Sequence, residues 1–149
     1  LQDMKRVYLE MGSIPSYPIL GNPITGVEKD IHALLDRMAG LGVLAFEVIP
    51  YRNTRERLRE IVNACRERHA PLFTGTEHNS LDVKPLVDPL SKDPEFAPFF
   101  EASARVLLGH QEAVRRDGPG AGFVDPDGQP TIPDAAQRFA HFEAIGKEV

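Results

Sequence analysis

A chain of 149 residues, 42% hydrophobic and 26% charged, carries enough apolar material for one core and the charge of an ordinary soluble domain. A net charge of −5 leaves no broad basic field for general nucleic-acid binding, and no run approaches the roughly 18 apolar residues that a membrane span requires. The single cysteine, Cys65, excludes an intrachain disulfide framework and points to a reducing, cytoplasmic setting; no signal-peptide pattern opens the chain.

In chain order, Val7-Tyr8-Leu9-Glu10-Met11 reads as a short strand stopped by Gly12. Residues 13–23 contain three prolines and read as a long loop, neither helix nor regular strand; Ile14, Tyr17, Ile19 and Leu20 pack it down as an ordered site loop. A first helix is expected from about Thr25, with Glu28 completing a capping-box pattern and Ile31, Leu34, Leu35, Met38 and Leu41 forming its apolar stripe. Val43 to Ile49 is apolar almost throughout, as a parallel strand covered on both faces should be. Glu47 interrupts it, and such a carboxylate needs a metal, a hydrogen bond or an ion pair, with Arg52 as the structural alternative.

A second helix, capped by Asn53 or Thr54, buries Leu58, Ile61, Val62 and Cys65 and is closed by His69. A third strand around Phe73 follows. Beyond it come an irregular stretch over residues 81–92 and a helix opened by Asp93-Pro94, with Phe96, Phe99, Phe100, Ala104 and Leu107 inward. Residues 103–108 read equally as a strand, and His110 just after them reads as structural. Residues 118–130 form a glycine, proline and aspartate hinge. A last helix from about Asp134 buries Phe139, Phe142 and Ile145.

The three strands alternate with two helices long enough to cross over, so the sheet is expected to be parallel. The fold class is therefore α/β, built from parallel strand–helix repeats. Ligands in such folds bind beyond the carboxyl ends of the strands. Glu10, Glu47 and Glu77 then fall at or just past three such ends, and gathered carboxylates need protons or cations to be tolerable. Glu77, His78 and Asn79, directly after the third strand, read either as a site or as a local turn cap.

The passage from Phe46-Glu47-Val48 through Pro50-Tyr51-Arg52-Asn53 to Leu72-Phe73-Thr74-Gly75-Thr76-Glu77-His78-Asn79 resembles the late part of a PHP-domain (polymerase and histidinol phosphatase) barrel, a superfamily of metal-dependent phosphoesterases. By that resemblance Glu77 stands at the Asp and Asn79 at the His of the family's metal-binding Asp-x-His pair, with His78 one residue early as a further ligand. The family's His-x-His motif lies in an N-terminal half that this chain does not contain. A (β/α) barrel typically needs about 200 residues or more. The chain is accordingly expected to be a single domain or the C-terminal part of a larger PHP-like barrel, completed by an N-terminal half or by a second copy.

The resemblance implies a hydrolase acting on a small anionic phosphoester with a divalent metal such as zinc, manganese or iron. Glu77 and His78 would be catalytic, Glu77, His78 and Asn79 metal-binding, and Tyr17, Glu47, Arg52 and Asn79 substrate-binding. The alternatives are a non-catalytic ligand-binding or regulatory PHP-like module, and a lyase or isomerase on a sugar-like substrate.

Overall fold

The computed structural model describes residues 2–77 and 85–149. Its elements run α1 (Gln2–Glu10), β1 (Ser16–Ile19), α2 (Ile31–Gly40), β2 (Ala45–Val48), α3 (Arg55–Glu67), β3 (Leu72–Thr74), α4 (Ala97–Asp117) and α5 (Ala135–Lys147). The three strands form one parallel sheet in the order β1-β2-β3. Tyr17 pairs with Phe46 and Pro18 with Glu47; Glu47 in turn pairs with Phe73. The fold class is thus α/β with a parallel sheet, as the strand–helix alternation predicts.

The first strand is not where the β-formers stand. Val7 to Met11 lies in and just after helix α1, with Val7, Tyr8 and Met11 exposed and Leu9 alone buried among them. One inward residue is what a short helix laid on a core needs, whereas a covered strand would bury more. Glu10 consequently points from a helix, exposed, with Arg6 at 3.7 Å one turn away, and does not join the strand ends. The strand falls instead in the proline-rich stretch. Pro18 has no N–H to give, but β1 has a sheet neighbour on one side only, so an edge position accepts it.

The helices follow their periodicity more closely. The Thr25–Glu28 capping pattern opens only one 3-10 turn, Gly26–Glu28, and Asp30 caps α2 by accepting from the Ala33 amide at 3.0 Å. Ile31, Leu34 and Leu35 are buried, Met38 is half-buried and Leu41, past the last turn, is exposed. Thr54 caps α3, whose buried face is Leu58, Ile61, Val62, Ala64 and Cys65. Arg68 is the C-cap, and His69 beyond it takes the left-handed conformation with φ 48°.

Helix α4 runs unbroken through residues 103–108, so the strand alternative is excluded there. Its inward face is Phe99, Phe100, Ser103, Val106, Gly109, His110 and Ala113, while Ala104 is exposed and Leu107 half-buried. Buried Ser103 accepts the Leu72 amide on its Oγ at 3.0 Å, satisfying a strand-edge donor. Helices α4 and α5 cross closely through glycines. A Cβ on Gly109 would fall on the Phe142 carbonyl oxygen, and one on Gly146 on that of Arg105. Asp134 caps α5 by accepting from the Gln137 amide at 2.8 Å, and Phe139 and Phe142 point inward as predicted.

Among the described residues no helix is long and apolar enough to cross a membrane.

Candidate functional site

Three loops meet at the carboxyl edge of the sheet, and Arg52 joins them. It sits in the 3-10 turn Pro50–Arg52 directly after β2. Its Nη1 pairs with Glu77 Oε2 at 2.6 Å, beyond β3, and its Nη2 donates to the Asn22 carbonyl, beyond β1. Gly21 permits this approach, since a Cβ there would collide with the Arg52 carbonyl and the Asn53 side chain. Tyr51 adds a second tie, its hydroxyl donating to the Glu77 carbonyl at 3.1 Å. Its own amide donates to the buried Asp88 at 2.7 Å, which also accepts from the Leu90 amide at 2.9 Å.

Glu47 stands apart from these pairings. It is half-buried near the end of β2, and among the described residues no hydrogen bond or ion pair engages its carboxylate. The ion pair with Arg52 that its sequence position allows is not made; Glu77 takes that guanidinium. Gly75 uncovers Glu47, because a Cβ there would run into Oε1. Beside Gly75 lies a cleft of about 190 Å³, walled by Thr74, Thr76, Leu86, Val87, Asp88 and Ser91.

The predicted residues therefore separate. Glu47, Arg52 and Glu77 come to one edge. His78 and Asn79 lie outside the described residues. Tyr17 pairs with Phe46 and so faces the side of the sheet opposite Glu47; its hydroxyl is directed to Glu28 Oε1 at 3.4 Å. Burial raises the Tyr17 pKa, with the Glu28 charge and hydrogen bond adding to it. It is tied to a structural carboxylate rather than presented to a ligand.

Glu28 is what the capping-box pattern only half revealed. The side chain is fully buried, with Oε1 accepting the Leu20 amide at 3.0 Å and Oε2 accepting the Thr25 amide and hydroxyl at 3.2 and 3.0 Å. Arg57 donates to its backbone carbonyl. This network pins the loop after β1 against the edge, and its satisfied acceptors make it a fastener, not a ligand.

For a divalent cation the fit divides in the same way. Glu47 fits as a hard oxygen donor because its carboxylate is uncommitted. Glu77 would exchange a guanidinium at 2.6 Å for a metal. Among the described residues no group of three or more His, Cys, Asp or Glu is placed to hold a metal ion.

No protein-family model, curated protein sequence or solved structure matches this chain significantly.

Proposed function

We propose that the chain is the C-terminal part of a PHP-like barrel and acts as a metal-dependent hydrolase on a small anionic phosphoester. The observation carrying this reading is Glu47. Among the described residues no hydrogen bond or ion pair engages this half-buried carboxylate, which leaves it open to a cation or a substrate proton. Arg52 supports it as a planar cation for phosphoryl oxygens at the edge where parallel α/β folds bind ligands. Glu47, Glu77 and His78 would hold the metal, which supplies an activated water and charge stabilisation when bound. Glu77, while paired, orients the Arg52 fork; Arg52 holds the loops after β1 and β3 together.

A second reading is favoured by the same ion pair. With Glu77 committed to Arg52 at 2.6 Å, the edge serves as a metal-free pocket of a ligand-binding module.

Elemental analysis and titration calorimetry with manganese and zinc on the full chain separate the two. The hydrolase reading expects saturable metal, an affinity about tenfold or more weaker in Glu47→Gln, and turnover of an aryl phosphate that falls in parallel. Folded protein that binds neither metal, or binds it equally well in Glu47→Gln, overturns the assignment of Glu47 and leaves the binding module.

A further inference from the structure

The opposite, amino edge of the sheet holds a second cavity of about 200 Å³ with different chemistry. Its walls come from the end of α2 (Leu35, Asp36, Ala39), the entry to β2 (Val43, Leu44, Phe46), the entry to β3 (Arg68, His69, Ala70) and the first turn of α5 (Ala135, Arg138). Most of that lining is apolar, and its polar members are dominated by cations.

We propose that this cavity binds a small monocarboxylate with a compact apolar body, the carboxylate resting on Arg138 with Arg68 beside it.

Arg138 is the unusual residue. It is 5% exposed, yet among the described residues no carboxylate lies within ion-pair distance of it. Its Nη1 donates to the Ile132 and Pro133 carbonyls at 2.6 and 3.3 Å, and its carbon plane lies over the Phe123 ring with 4.9 Å to the centroid. Among the described residues the buried Nε has no hydrogen-bond partner. A buried guanidinium held by two neutral carbonyls and a ring is under-neutralised, and charges are buried at a cost unless paired. Burial lowers its pKa, with Asp134 opposing the shift, which agrees with a cation short of counter-charge.

Arg68 contributes less directly. Its Nε is engaged by exposed Asp36 at 2.8 Å, and its Nη1 meets His32 at 3.0 Å and the Ala64 carbonyl at 3.3 Å. Among the described residues Nη2 carries no such bond, which leaves one donor of this lining residue for a further anion contact. His69, in the left-handed conformation, lines the same cavity. An inorganic anion would waste the apolar wall of Leu35, Val43, Leu44 and Phe46; a wholly apolar ligand would leave Arg138 unneutralised. An acid with a small apolar body satisfies both, since such sites combine an apolar lining with a few placed polar groups.

Phenylacetate is a probe of that size, phenylacetamide its neutral counterpart and inorganic phosphate its body-less one. Titrations of each into the ¹⁵N-labelled full chain, followed by amide shifts, test the site. Phenylacetate should move the Leu44, Ala70 and Ala135 amides saturably, with the other two probes about tenfold weaker or worse. Arg138→Lys, which keeps charge and loses the fork, should weaken phenylacetate by about tenfold. Because Arg138 also holds two carbonyls, Ala39→Phe gives an independent check: it fills the cavity from an exposed helix position and should abolish the shifts. No saturable shift with phenylacetate, equal binding of phenylacetamide or phosphate, or unchanged shifts in Ala39→Phe would overturn the proposal.

Discussion

His110 joins three segments that are far apart in the chain. Its Nε2 donates to the Gly12 carbonyl at 2.7 Å, after α1, and its Nδ1 accepts the Phe123 amide at 2.8 Å, in the hinge before α5. Those two bonds fix the neutral ring with the proton on Nε2. Burial lowers its pKa below the ordinary 6.5, with the bond to Gly12 opposing. A lowered histidine pKa means that the unfolded chain takes up its proton first as pH falls. The stability His110 contributes is therefore whole above about pH 6.5 and lost as pH falls from there toward its folded value. The carboxylates lowered by arginine partners, such as Asp93 beside Arg55 and Glu112 beside Arg115, lose theirs only around and below their ordinary values of 3.8 and 4.5. In chemical denaturation at stepped pH, His110→Gln should cost about 2 kcal/mol at neutral pH and flatten the decline between about pH 7 and 5. Cys65 makes the opposite case of a reactive residue type without a reactive role: burial pushes its thiol up to about 12.

At the scale of elements, the pairing of α4 with α5 depends on side chains that are missing. Gly109 and Gly146 let each helix meet a carbonyl of the other, a contact that hydrophobic periodicity does not encode. Gly109→Ala should destabilise by about 3 kcal/mol in urea unfolding, because the clash is with backbone and not with a flexible tip. Gly40→Ala, at the end of α2 with open space around it, should instead stabilise by about 0.5 kcal/mol. The same scale explains the misread amino-terminal region. Tyr8 and Val7 have strand propensity, but Leu9 is the anchor and a helix presents it without burying its neighbours. Pro18, between the strand formers Tyr17 and Ile19, looks unsuited to a sheet until the strand is known to be at its edge.

For the whole molecule, the decisive feature is how an open parallel sheet ends. On the β3 side α4 takes the place of a fourth strand at Leu72, with the Ser103 hydroxyl accepting the amide a strand would have bonded. Ser103→Ala should leave that N–H buried without an acceptor, costing about 1–3 kcal/mol, and hydrogen exchange of the Leu72 amide should accelerate accordingly. Closing one edge in this way places the Arg52–Glu77 pair and Glu47 at the carboxyl end, and leaves Arg138 and Arg68 at the amino end, so two chemically distinct cavities flank the strands.

The amino-acid order alone determined whatever rests on local periodicity and local chemistry. The stripes of α3 and α5, the helix starts at Asn53 or Thr54 and near Asp134, the covered strand around Phe46, the parallel alternation and the packed Cys65 all follow from spacing within about twenty residues. It also marked Glu47 and Glu77 as strand-end residues, because a strand end is a local property, and failed for Glu10 where the strand itself was misread. Only the tertiary structure decided which partner each one takes. Arg52 lies five residues from Glu47 yet binds Glu77 across the edge, since the choice is made by three loops converging in space. Ser103 as an edge stop and Arg138 as an under-neutralised cation were hidden, and Glu28 as a fastener was half hidden behind its capping-box pattern. Each is an ordinary polar residue in the chain, and its role comes from being buried beside groups that other elements bring to it.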